Sequence, residues 1–143
     1  MGHTEDLSAN MEGYLEVVYS LVQQGHVARV KDIAGKLRVS MPSVCAALKT
    51  LASKGLVNYD PYQFITLTDQ GLKIARHLAR HHQILKDFMI QVLHIPEQVA
   101  EENACRIEHS IDDDVLGRLV EFLRFMETCP RAGFDWLEGY GYV

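Results

Sequence analysis

At 143 residues the chain is long enough for one ordinary domain or two small ones, and a content of 48% apolar and 23% charged residues excludes a disordered or fibrous chain. No apolar run approaches the roughly eighteen residues that a membrane helix requires, which excludes a helical membrane protein. The formal charge of −5 excludes a uniformly basic nucleic-acid binder, since phosphate contacts rely on Lys and Arg.

Met1, Gly2, His3, Thr4, Glu5 and Asp6 form a polar, acidic start with no basic stretch leading into an apolar one. No export signal is expected there, and a cytoplasmic location follows. Three cysteines, odd in number and widely spaced, fit a reducing compartment better than a disulfide framework. Over residues 10–24, Met11, Tyr14, Leu15, Val18, Leu21 and Val22 recur at spacings of three and four, which predicts an amphipathic helix. Its other face carries Glu12 and Glu16. Glu12 is expected to be a solvated acid complementing the helix dipole, and Glu16 stays open between that role and a functional one.

Gly25 can end the first helix, and residues 26–30 read as a short strand or extended connector. Residues 31–37 predict a short helix with Ile33, Ala34 and Leu37 inward. A tight turn at Arg38, Val39 and Ser40 follows. Ser40 is a good N-cap for the next helix, residues 41–54, in which Pro42 is tolerated in the first turn. That helix buries Val44, Leu48 and Leu51 and exposes Ser43, Ala46, Lys49 and Ser53. Two short helices joined by such a turn make a helix-turn-helix. After Gly55, residues 56–60 and 64–68 alternate as a hairpin does, with Pro61, Tyr62 and Gln63 at its tip. The order of helices and hairpin is that of a winged helix; a small protein-binding α+β domain is the plainer alternative.

Charge supports the first reading. Residues 1–75 balance to zero and residues 76–143 carry the whole deficit of −5, while residues 25–56 hold Arg29, Lys31, Lys36, Arg38, Lys49 and Lys54 against Asp32 alone. A basic face on an acidic body fits a DNA binder whose second half serves another purpose. In the reading helix Ser40 and Ser43 can exchange hydrogen bonds with base edges, and Pro42 can meet a thymine methyl. Lys49, Lys36 and Arg38 suit phosphates. Against each stands a plainer role, Ser40 as a cap alone and Lys49 as a solvated lysine.

Thr68, Asp69 and Gln70 open a long helical run to about Leu93, in which Ile84, Leu85, Phe88, Met89, Val92 and Leu93 form a stripe suited to a core or a dimer interface. His77, His81 and His82 lie mid-helix; the first two are one turn apart and could chelate or belong to a solvated basic face with Arg76 and Arg80. Another helix begins near Pro96 and Glu97, with Ala100, Ala104, Ile107 and Ile111 inward. Beside that face Cys105, Glu108 and His109 fall three and four residues apart, on one ridge. Thiolate, carboxylate and imidazole are the side chains that bind a divalent transition metal, and Glu101, one turn earlier, adds a fourth donor. The plainer reading is ordinary helix composition. Asp112, Asp113 and Asp114 then cap a last helix whose Val115, Leu116, Leu119, Val120 and Leu123 repeat like a helix-pair seam, which suggests a homodimer. Cys129 reads as a simple thiol, and the aromatic tail from Phe134 to Val143 has no functional reading.

These residues together resemble the diphtheria toxin repressor and manganese transport regulator family of metal-dependent transcriptional repressors. The similarity runs over residues 11–123 and rests on Met11-Glu12-Gly13-Tyr14-Leu15-Glu16, on Val39-Ser40-Met41-Pro42-Ser43-Val44, and on Ala104-Cys105-Arg106-Ile107-Glu108-His109 followed by Asp113-Asp114-Val115. The resemblance implies a mainly α fold: a winged helix-turn-helix over residues 1–75, then an all-helical metal and dimerisation domain over 76–143, without a third, SH3-like domain. It implies no enzyme but a homodimer that binds a double-stranded DNA operator of metal-uptake genes when a divalent ion is present. His82, Cys105, Glu108 and His109 match ligand positions, and Glu16 matches the first-helix ligand of the manganese branch. Gly13 departs from the family's Asp or Met ligand, and Lys86 replaces an acidic ligand of the iron branch's second site. Cys105 resembles the iron branch, and a thiolate favours Fe(II), Zn(II), Co(II) or Ni(II) over Mn(II). Fe(II) is therefore the first expectation. Alternatives are a winged-helix regulator triggered by oxidation of Cys105 or by a small molecule and, more remotely, a metallohydrolase, for which no second motif supplies an open site and a base.

Overall fold

The computed structural model describes residues 7–60 and 64–128. The hairpin tip at residues 61–63, the first six residues and the tail with Cys129 lie outside them. The chain divides into two compact units, Met1–Arg80 and His81–Val143.

In the first unit α1 (Ala9–Gln23) starts at Ser8, whose hydroxyl accepts a hydrogen bond from the Met11 amide at 3.2 Å. Its spacing of apolar residues buries Tyr14, Leu15, Val18 and Leu21. Glu12 departs from expectation: it is only 5% exposed, because it shares a ridge with Leu15 on the buried side of the helix. Gly25, at φ 78°, turns the chain out of α1 in a conformation that favours glycine. α2 (Val30–Leu37) ends on Arg38 in the left-handed region at φ 55°, and α3 (Met41–Ser53) begins after Ser40. The Ser40 hydroxyl accepts from the Ser43 amide at 3.2 Å, the capping bond that fixes where α3 begins.

The hairpin is shorter than its alternation suggests. β1 (Val57–Asn58) and β2 (Thr66–Leu67) are two residues each, antiparallel, with Val57 opposite Leu67 and Asn58 opposite Thr66. The connector after α1 contributes a single bridge, Ala28 to Ile65. Val44, Leu48 and Leu51 of α3 meet Leu15, Val18, Ile33, Leu56, Val57 and Ile65 in one core. α4 (Asp69–Gln91) is fastened at its start by Thr68. The Thr68 hydroxyl donates to the Gly55 carbonyl at 2.7 Å and accepts from the Gly71 amide at 3.0 Å.

In the second unit α5 (Glu97–Ile107) and α6 (Asp113–Thr128) pack with the last turns of α4 through Leu85, Ala104 and Leu116. Phe88 and Phe122 meet edge to face, with ring centroids 6.2 Å apart. Ile107, expected inward, is 37% exposed. The inward ridge runs instead through Ala100, Ala104 and Glu108, four residues apart. Val115 and Phe125 of α6 are also exposed. Among the described residues, no helix is long and apolar enough to cross a membrane.

Candidate functional site

The second unit gathers a row of ionisable side chains from α4, α5 and the turn after α5. Glu108 is the C-cap of α5, in helical conformation, and its amide donates to the Ala104 carbonyl. His109 lies in the turn beyond, so the expected ridge outlasts the helix by two residues. The Glu108 side chain is fully buried: His82 Nδ1 lies 2.7 Å from Oε2, and His109 Nε2 lies 3.3 Å from Oε1. The His109 contact lacks hydrogen-bond alignment, which leaves Oε1 a buried acceptor with no aligned donor among the described residues. On its other side the His82 ring points Nε2 at Glu101 Oε1, 2.9 Å away. Lys86, one turn after His82, reaches Glu101 Oε2 at 3.1 Å and Glu97 Oε1 at 3.3 Å.

The electrostatics follow from that order. The Glu108 carboxylate, first, and Glu101 lift His82 to about 9, outweighing the burial that pushes it down. Burial is the largest influence on Glu101 and pushes its carboxyl up, but His82 and Lys86 together hold it below the ordinary value. Contacts with Glu101 and then Glu97 raise the Lys86 ammonium. Imidazole and carboxylate donors meeting at a buried, undersupplied oxygen are chemistry that a divalent cation fits.

Of the expected ligands, His82, Glu101, Glu108 and His109 come together in this row. Cys105 is exposed in the last turns of α5. Glu16 lies on α1, partly buried, in the other unit. His81 was left unassigned by the sequence, and here it is 5% exposed. Its Nδ1 is 3.4 Å from the Glu108 carbonyl and its Nε2 is 3.1 Å from Asp113 Oδ1. His81 thus lies between the Glu108 backbone and the start of α6. Its spacing from Leu78 and Leu85, three and four residues, is the signal that marks it as inward.

In the first unit the expected DNA contacts Lys36, Arg38, Ser40, Pro42, Ser43 and Lys49 are all exposed. The Ser40 and Ser43 hydroxyls lie 2.8 Å apart, so Ser40 is engaged as a cap and Ser43 stands beside it at the exposed start of α3. Two further side chains, Met41 and Phe64, sit on exposed positions that the charge pattern alone does not pick out. Met41 is 50% exposed in the first turn of α3, and the Arg29 guanidinium lies 5.4 Å over the exposed Phe64 ring beside the hairpin.

Comparison with known proteins matches the chain to two family models. Residues 6–65 match the N-terminal DNA-binding domain of iron-dependent repressors, and residues 68–136 match their metal-binding and dimerisation domain. An HTH-type transcriptional regulator of Methanocaldococcus jannaschii is 33% identical over 118 residues, covering 82% of this chain and 94% of its own length. The transcriptional regulator MntR of Escherichia coli O157:H7 is 33% identical over 106 residues, covering 74% of this chain and 68% of its own. Among solved structures, the manganese regulator SloR superposes with a TM-score of 0.73 at 31% identity over 87% of this chain. A manganese-dependent transcriptional repressor in complex with manganese gives a TM-score of 0.74 at 26% identity over 80% of it. The chain spans 58% of the SloR chain and 53% of the other. This chain belongs to the iron-dependent repressor and MntR family of metal-dependent transcriptional repressors.

Proposed function

We propose that this protein is a homodimeric repressor of metal-uptake genes that binds its operator when loaded with a divalent ion, Fe(II) first among them. The observation that carries the reading is Glu108: a carboxylate shut away from solvent between His82 and His109, with one oxygen lacking an aligned donor. The ligands we assign are His82, Cys105, Glu108 and His109, with Glu16 of α1 as the contribution of the DNA-binding unit. Glu101 stands beside them, on the far nitrogen of His82.

A bound ion would replace the His82 proton as the positive charge beside the buried Glu108 carboxylate, since its ligands must be deprotonated to hold it. His82 gives up the proton it shares with Glu108, and Cys105 ionises. The Cys105 thiolate tilts selectivity toward softer ions, which ranks Fe(II) ahead of Mn(II) and admits Zn(II), Co(II) and Ni(II). Structures similar to this chain include ScaR with Zn2+ and with Cd2+, which agrees with a site open to soft ions. Ser40, Pro42 and Ser43, at the start of α3, are assigned to the major groove, and Lys36, Arg38 and Lys49 to phosphates. Because the ion binds one state of the protein better, it raises affinity for DNA, and DNA raises affinity for the ion by the same factor. Neither the thiol switch nor the hydrolase draws support from the family.

The test is anisotropy of a labelled duplex selected from a random-sequence pool in the presence of metal, titrated with protein under Fe(II), under Mn(II) and under chelator. Affinity is expected to rise with Fe(II) and to fall on chelation. Equal affinity in all three conditions would remove the mechanism.

A further inference from the structure

The row of charges in the second unit has two carboxylates on one imidazole, and they are not equivalent. His82 sits between Glu108 on Nδ1 and Glu101 on Nε2. Glu108 is fully buried, and its nearest partners are two imidazoles, which are neutral once they act as ligands. Glu101 is half exposed, and its second oxygen is already engaged by the Lys86 ammonium at 3.1 Å. Lys86 is itself held from the other side by Glu97 at 3.3 Å. A fixed ammonium is therefore built in at the Glu101 end of the row, whereas the neighbours at the Glu108 end are the imidazoles of His82 and His109.

We propose that Glu101 and Lys86 are positioning residues for the metal centre: Lys86 fixes Glu101, Glu101 keeps a proton on His82 Nε2, and His82 is left to offer Nδ1 on the side of Glu108. This rests on the ligand role proposed above for His82 and Glu108, and it moves Glu101 out of the ligand set. A ligand imidazole whose second nitrogen donates to a carboxylate has its tautomer and ring orientation fixed, and such supports affect affinity nearly as much as ligands do. Lys86 adds a further link, because a carboxylate held at one oxygen by an ammonium keeps the other aimed at the ring.

The experiment uses the full chain loaded with Zn(II), with 15N-labelled histidine, and the His82→Gln spectrum identifies the resonance. Long-range proton–nitrogen correlations are expected to show the His82 proton on Nε2 and the ion on Nδ1. Lys86→Met is expected to weaken Zn(II) binding about 10- to 100-fold at unchanged stoichiometry, and Lys86→Arg to restore it. The Lys86 side chain is partly exposed, so the variants keep their helical circular dichroism. A proton on Nδ1 in the Zn(II) form, or Lys86→Met with wild-type affinity, overturns the inference and leaves the proposed function standing. Failure of the wild-type chain to take up Zn(II), Fe(II) or Mn(II) overturns both.

Discussion

In the ligand role proposed above, His82 links the acid–base behaviour of this protein to its metal chemistry. In the metal-free state its value of about 9 lies above the ordinary 6.5, so protonation favours the folded form. The stability it contributes is complete below pH 6.5 and is lost as pH climbs toward 9. Urea midpoints of stripped protein should fall across that window, and His82→Gln should lack that part of the slope; equal slopes would remove the assignment. Uptake of an ion expels the same proton, so affinity for metal rises over the same range and calorimetry in two buffers should register proton release. Glu108→Gln keeps the volume and removes the charge, and metal affinity is expected to drop by more than about 100-fold, beyond what losing an outer support does. The spacing of Cys105, Glu108 and His109 made the nearness of Glu108 and His109 legible in the sequence. What stayed hidden was the partnering: which nitrogen of His82 meets which carboxylate depends on how α4 and α5 pack, and no spacing within either helix encodes that.

Among the elements, the helices followed their sequence signals closely because caps and apolar period agree. Ser8, Ser40 and Thr68 each precede a helix and each hydroxyl accepts a bond from the amide three residues on. The hairpin followed less well. Its alternation spans five residues a side, yet the paired strands are two residues each, and Ile65 donates instead to the Ala28 carbonyl of the connector at 3.0 Å. Gly71 shows how tightly the hairpin base and α4 fit: a Cβ there would collide with the backbone carbonyl of Leu56. Gly71→Ala is expected to destabilise the first unit by about 1–3 kcal/mol, read as a lower urea midpoint, and an unchanged midpoint would show that the backbone yields freely. Ser40→Ala tests a different point. Loss of the cap is worth about 1 kcal/mol of stability. If Ser40 also meets a base, affinity for the selected duplex falls further than for a scrambled one.

At the scale of the molecule, charge is unevenly distributed along the chain. Six basic side chains lie within residues 25–56 of a chain whose net charge is −5. Lys49→Ala should weaken binding to every duplex alike and reduce the slope of log affinity against log salt by about one. An unchanged slope would show that Lys49 touches no phosphate. The sequence puts the division at residues 75 and 76, and the compact units divide between Arg80 and His81, inside α4. A continuous helix carries no composition shift at the point where its neighbours change.

The two cores differ greatly in size. The first joins Leu15, Val18, Ile33, Leu48, Leu51, Ile65 and their neighbours, while the second, among the described residues, centres on Leu85, Ala104 and Leu116. So small a core is marginal alone, and folds of that size gain stability from a partner copy. Val115 and Phe125, exposed on α6 of a unit matched to a dimerisation domain, are surface that such a partner could cover. Melting of the second unit should then depend on protein concentration, each tenfold dilution removing about 1.4 kcal/mol per dimer, while the first unit melts independently of it. Under that arrangement the repressor's supply is itself a signal: a cell making few copies would hold them with a loosened metal unit, and the response to the ion would sharpen as copy number grows.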